Sequence, residues 1–167
     1  MRALALATFL TISISSAHAQ SVEEKVAVGP WEIATTFRGS TFINCEMRRT
    51  SDGLGITFLR AEDGLTLLLD SAKWKLERGK TYNVKLSAGV GSIDGKAQAE
   101  SKGVAIALLD RPFTARLRSA DTLDVRGDGA TLRVPLDCSM AAMDRLETCF
   151  AKELKEQYGR KSICCAE

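Results

Sequence analysis

Histidine is almost missing from this chain of 167 residues, and its one copy, His18, falls within the first twenty. Those residues read MRALALATFLTISISSAHAQ. A single charge at Arg2 precedes an apolar stretch over residues 3–14, and Ala17-His18-Ala19 fits the small-residue cleavage pattern of an export signal. The apolar stretch is about a dozen residues where a membrane span needs roughly twenty, and the rest of the sequence has no longer run. A cleaved signal peptide over residues 1–19 is therefore expected, with Gln20 as the new N-terminus. The periplasm is its expected destination, with secretion as the alternative. Cleavage would remove His18 and leave a mature chain without imidazole. That excludes Ser-His-Asp and Cys-His nucleophile activation, zinc sites built on histidine, and histidine as a pH switch. A protein that is not an enzyme is expected, with no cofactor and no metal.

Other absences narrow the reading further. Charge of one sign is not in excess. Lys and Arg number 23 against 21 acids, and loss of Arg2 leaves +1 on 148 residues (167 less 19). Such a balance exerts no overall pull on nucleic acid or anionic membrane. No C-x-x-C occurs, so a thioredoxin-like site lacks its motif. GVGSIDG (residues 89–95) lacks the Lys-Ser/Thr of a P-loop and the glycine spacing of a dinucleotide site. A hairpin with an Asp94-Gly95 turn accounts for it. The mature length suits one domain with a real core.

What the chain does contain is alternation. Over residues 31–134, WEIATTF puts Trp31, Ile33, Thr35 and Phe37 on one face, and FINCEMR puts Ile43, Cys45 and Met47 on one face. LGITFLR and GLTLLLD follow as short apolar runs. KWKLE sets Trp74 and Leu76 against Lys73, Lys75 and Glu77, and TYNVKL, VAIALL, PFTARLR, DTLDVR and ATLRV keep the period of two. Turn signals recur at Ser51-Asp52-Gly53, Glu62-Asp63-Gly64, Arg78-Gly79 and Gly127-Asp128-Gly129. The expected fold is mainly β, an antiparallel sandwich or barrel-like meander. After Ser139 the period changes. Ala142, Met143, Leu146, Cys149, Phe150 and Leu154 recur at three and four, the spacing of one helical face. Asp144, Arg145, Glu147, Lys152, Glu153, Lys155 and Glu156 take the other face. Asp137 or Ser139 can supply the N-cap, and Gly159 the stop. The organisation expected is thus a signal at 1–19, a polar lead-in at 20–30, a β-rich domain at 31–158 whose helix covers about 139–158, and a flexible tail at 159–167.

Five cysteines follow the signal: Cys45, Cys138, Cys149, Cys164 and Cys165. An oxidising compartment favours disulfides. Cys45 shares a strand face with Ile43 and Met47, and Cys149 shares a helix face with Met143, Leu146 and Phe150, so both point into one core and form the expected bond. Cys138 and Cys149 stand about 16 Å apart along a helix, too far for a bond that needs Cα atoms within about 7 Å. Cys138, Cys164 and Cys165 leave open a second disulfide, a reactive thiol at the helix start, a soft-metal site in the tail, or a disulfide-linked dimer. Arg116, Arg118, Arg126 and Arg133 fall on the outer phase of three successive strands and would make an anion-binding stripe. Asp121, Asp124 and Asp128 lie among them and favour a solvated mixed-charge face. Glu32, Glu46 and Asp70 are ordinary strand-face or turn acids.

The layout resembles a known group. GPWEIATTF opens the chain after the signal, FINCEMRR supplies a cysteine on the next strand, DGLTLLLDSAKWKLERGKTYNVKL and RPFTARLRSADTLDVRGDGATLRVPLD follow, and the helix ends in DRLETCF. This resembles small, uncharacterised periplasmic proteins of rhizobia and related alphaproteobacteria and, more loosely, is similar to the invasion-associated locus B family. The resemblance covers nearly the whole mature chain and implies a periplasmic location and host-associated roles, without a defined activity. That group has a Gly-Ser step before the helix where this chain has Cys138-Ser139, so no role for Cys138 follows from the resemblance. The function expected is a non-catalytic exported domain that binds a protein, peptide or envelope component. The alternative is a thiol-dependent redox or soft-metal-handling protein.

Overall fold

The computed structural model describes residues 20–127 and 129–164, and the side chains of 25–127 and 129–159. Alternating apolar and polar residues, with two-residue turns at most of the connections, produce ten antiparallel strands: β1 (Gln20–Val28), β2 (Trp31–Arg38), β3 (Thr41–Ser51), β4 (Leu54–Ala61), β5 (Gly64–Asp70), β6 (Thr81–Ala88), β7 (Gly91–Ala99), β8 (Gly103–Ala107), β9 (Thr122–Gly127) and β10 (Ala130–Pro135). Two helices complete the fold, α1 (Arg111–Leu117) and α2 (Ser139–Cys164). The strands form one sheet in the order β1-β2-β3-β4-β5-β8-β7-β6-β9-β10, open at β1 and β10. The expected β-rich meander with a C-terminal helix packed on it is what forms, as a single open sheet. The β3–β4 turn shows why its residues were selected. Asp52 and Gly53 both have positive φ, 51° and 76°, the conformation whose twist matches a hairpin and which Asp-Gly tolerates.

The inner face of the sheet carries the core. Trp31, Ile33, Met47, Phe58, Leu67, Leu86, Ile106, Leu123 and Val134 are buried there together with Phe113 and Leu117 of α1. Helix α2 packs on β2, β3 and β4, inserting Ala142, Met143, Leu146 and Phe150. Phe150 lies 5.9 Å from Phe42, and Arg60 stacks over the Phe150 ring at 4.2 Å while its Nε donates to Glu147 at 3.2 Å. The end of β10 is tied to the start of β2, because Trp31 Nε1 donates to the Asp137 carbonyl at 2.8 Å. Arg49 lies over the same indole at 5.3 Å and pairs with the Asp137 carboxylate at 3.1 Å.

Several local expectations are corrected. PFTARLR is the helix α1, not a strand. Asp110 caps it, accepting from the Phe113 amide at 2.7 Å, and Pro112 sits in the first turn, where a missing N–H costs nothing. KWKLE alternates in burial but pairs in no strand. It lies in the connection over residues 71–80, whose Leu76 amide donates to Ser101 and whose Gly79 amide donates to Ala99. Residues 20–28 of the expected lead-in form the edge strand β1, and Gly159 does not stop α2, which runs to Cys164. The β6–β7 hairpin turns at Gly89-Val90, with Asp94 and Gly95 inside β7. A register shift at Thr36/Phe37 pairs Phe37 with Phe42, so Phe42 is buried where Ile43 was expected. Neither Asp137 nor Ser139 gives α2 a side-chain cap. The Asp137 carboxylate is held by Arg49, and Cys138, with φ +58°, immediately precedes the helix. Residues 1–19 and Asp128 lie outside the described residues, as do residues 165–167.

Candidate functional site

Helix α2 covers only the β2–β4 part of the inner face. Helix α1 covers one end of the opposite half, where it packs on β6 and β7. The other end of that half holds an apolar groove of about 220 Å³. Strand alternation builds it. Tyr82 and Val84 share the inner phase of β6 with Leu86, Val104 and Ile106 come from β8, Val125 from β9, and Leu132 from β10. The space exists because the same phase carries small residues: Ala97, Gly127 and Ala130 also line it. A Cβ placed on Gly127 would meet nothing closer than Val84 Cγ1, at 3.8 Å. Over this surface runs the connection of residues 71–80, which adds Trp74 and Leu76 to the wall. Both are only partly buried.

The groove wall is hydrocarbon apart from the Tyr82 phenol and the Trp74 indole, whereas the exposed positions of the connection over residues 71–80 are charged. Lys73 and Lys75 alternate with Trp74 and Leu76, are exposed, and have no ion-pair partner among the described residues. Lys80 lies over the Tyr82 ring at 5.5 Å and is 3.9 Å from Glu77. Arg78 pairs with Glu100 at 3.3 Å. The connection thus carries four cations and one acid, Glu77, which Lys80 already engages.

The cysteine pair expected in the core is formed. Cys45 and Cys149 are joined with their Cα atoms 6.2 Å apart, and Cys45 is fully buried. The Thr35 hydroxyl lies 3.3 Å from Cys149 Sγ and is the donor, since a disulfide sulfur carries no hydrogen. Cys138 is exposed and free, packed on the β1–β2 turn so closely that a Cβ on Gly29 would come within 3.0 Å of its sulfur. The side chains of Cys164 and Cys165 lie outside the described residues. The Cys45–Cys149 bond is internal to the chain and links no second copy.

The arginine stripe does not form. Arg116 and Arg118 belong to α1 and its C-terminus, on the inner side, where Arg118 pairs with Asp144 and Arg116 lies against Gly91. Arg126 and Arg133 stand on the outer face. Arg126 sits opposite Lys85, and Arg133 pairs with Asp124 at 3.2 Å. The acids are likewise occupied or ordinary. Glu32 accepts from Arg48 and Lys25, and those hydrogen bonds hold its carboxyl below the usual range. Glu46 lies 3.4 Å from Arg48, and Asp70 sits over Gly55 at the end of β5. Glu153, expected on the solvent face of α2, is buried instead, beside a small pocket it shares with Thr35 and Cys149. No three His, Cys, Asp or Glu among the described residues are grouped to hold a metal. No helix there is long and apolar enough to cross a membrane.

Sequence reasoning missed the groove. Its signals were the small residues at inner-phase positions of β7, β9 and β10, and a K-W-K-L alternation outside any ladder. Comparison of the chain with protein-family models, with curated proteins and with solved structures gives no match.

Proposed function

We propose that this protein is a non-catalytic binding domain of the bacterial envelope, and that its groove takes the apolar part of an envelope component. The observation that carries the reading is the groove itself. Its walls are concave and apolar, it lies in a half of the inner sheet face that α2 leaves uncovered, and two aromatic side chains, Trp74 and Tyr82, line it. Small-molecule sites have this character. The periplasm as its compartment rests on the charge, apolar stretch and Ala17-His18-Ala19 of residues 1–19. It rests also on the resemblance of layout to periplasmic proteins similar to the invasion-associated locus B family. The test is titration of the mature protein with the uncharged dye Nile red. Saturable one-to-one binding is expected, displaced by dodecanol and weakened in Gly127→Val, whose branched side chain fills the groove. An unsaturable signal, or Gly127→Val binding like the parent, overturns the reading. So does displacement by apolar peptides but not by alkyl chains. Hydrolase or oxidoreductase turnover lost on changing one polar residue would overturn its non-catalytic part.

A second reading, thiol chemistry, is favoured by one observation: Cys138 is exposed and carries no disulfide. Alkylation trapping in intact cells tests it. A Cys138 inert to iodoacetamide in the folded protein removes this reading.

A further inference from the structure

We infer that the occupant of the groove is a single aliphatic chain ending in an anionic head group. The inference rests on the groove reading above and names its ligand class. Two observations carry it, one for each end of the ligand.

The first concerns the wall. The groove is floored by side chains from the inner faces of β6 to β10, and the face of a sheet presents side chains, not backbone groups. A bound peptide would bring amide and carbonyl groups that demand partners, and burying them without hydrogen bonds is costly. An alkyl chain makes no such demand and gains from every apolar contact. The volume of about 220 Å³ has room for one alkyl chain.

The second concerns the mouth. In the stretch Lys73-Trp74-Lys75-Leu76 the two apolar side chains line the groove and the two lysines between and before them are exposed, on a segment from which a flexible four-carbon stem reaches round to the opening. Neither lysine has an ion-pair partner among the described residues, and the nearby Glu77 and Glu100 are taken by Lys80 and Arg78. A chain whose tail lies in the groove brings its head group to these lysines. A carboxylate or phosphate there gains charge-assisted hydrogen bonds, a hydroxyl gains little, and an ammonium is repelled.

Displacement of Nile red by twelve-carbon ligands that differ only in the head group, each below its micelle concentration, tests this. Dodecanoate should bind more tightly than dodecanol, and dodecanol more tightly than dodecylamine. In Lys73→Gln/Lys75→Gln the affinity for dodecanoate should fall about three- to tenfold, the scale of two exposed ion pairs. Dodecanol should be unchanged, and raised salt should erase the preference. Both lysines are exposed, so the variant keeps the fold. The control is Lys85→Gln/Lys96→Gln, which removes exposed charges on the outer face of β6 and β7 and should bind dodecanoate as the parent does. Equal affinity for the three head groups overturns the inference and leaves the groove reading standing, as does an equal loss in the control. Failure of all three ligands to displace the dye overturns both.

Discussion

Cys45 and Cys149 face each other because two periodicities converge. A period of two puts Cys45 on the inner face of β3, and a period of 3.6 puts Cys149 on the inner face of α2. The bond closes a separation of 104 residues, which in the chain-entropy account contributes about 4–5 kcal/mol, a large share of the roughly 5–15 kcal/mol that holds a domain folded. Cys45→Ala and Cys149→Ala should each lower the melting temperature by roughly 10 °C. Cys138→Ala should leave it within about 1 °C, since that side chain is exposed and unbonded. Thermal melts with peptide mapping of the unreduced protein check all three. Glu32 offers a test in pH. Hydrogen bonds from Arg48 and Lys25 lower its pKa in the folded state, so its contribution is complete above the ordinary carboxylate range. That contribution is lost as pH falls through the folded value. Glu32→Gln should therefore lose less stability than the parent between pH 6 and pH 3. Because Glu32 is exposed, the difference will be small, and a larger acid-side loss in the variant would refute the assignment.

At the scale of elements, the strands were legible where apolar and polar residues alternate, at the edge strand β10 as well as inside the sheet. β4, β5 and β6 alternate in burial, each lying between two partners and burying one face. β1 is an edge, pairs only with β2, and has a register shift between Glu23 and Lys25 that breaks the period of two; a polar lead-in was the natural misreading. PFTARLR misled because Phe113, Ala115 and Leu117 alternate, while Phe113 and Leu117 are also four apart and share a helical face. The decisive signal was Asp110 followed by Pro112. Asp110→Ala should cost about 1 kcal/mol through the lost cap, measured by urea unfolding. Gly159 misled in the opposite sense. It sits exposed within α2, and a Cβ there would meet nothing within 4 Å. Gly159→Ala should therefore stabilise by about 0.5–1 kcal/mol, where a true helix stop would make it destabilising.

For the molecule as a whole, the placement of one helix decides the site. α2 is bound to β2–β4 by the disulfide, by Phe150 and by Arg60, and so it cannot also cover β6–β10. The core was legible in the sequence because large apolar residues mark it. The groove was not, because it is defined by the absence of bulk at Ala97, Gly127 and Ala130, and absence leaves no periodic trace. The same placement bears on the order of events as the chain is made. α2 follows every strand it covers, so the meander of β1 to β5 exists before its lid does. Until residues 139–150 arrive, Ile33, Met47 and Phe42 face water on a sheet with two open edges, the kind of partly built surface that aggregates. The disulfide, joining β3 to α2, can form only after that wait is over. For this chain every strand of the sheet has been made before the second cysteine of the bond exists.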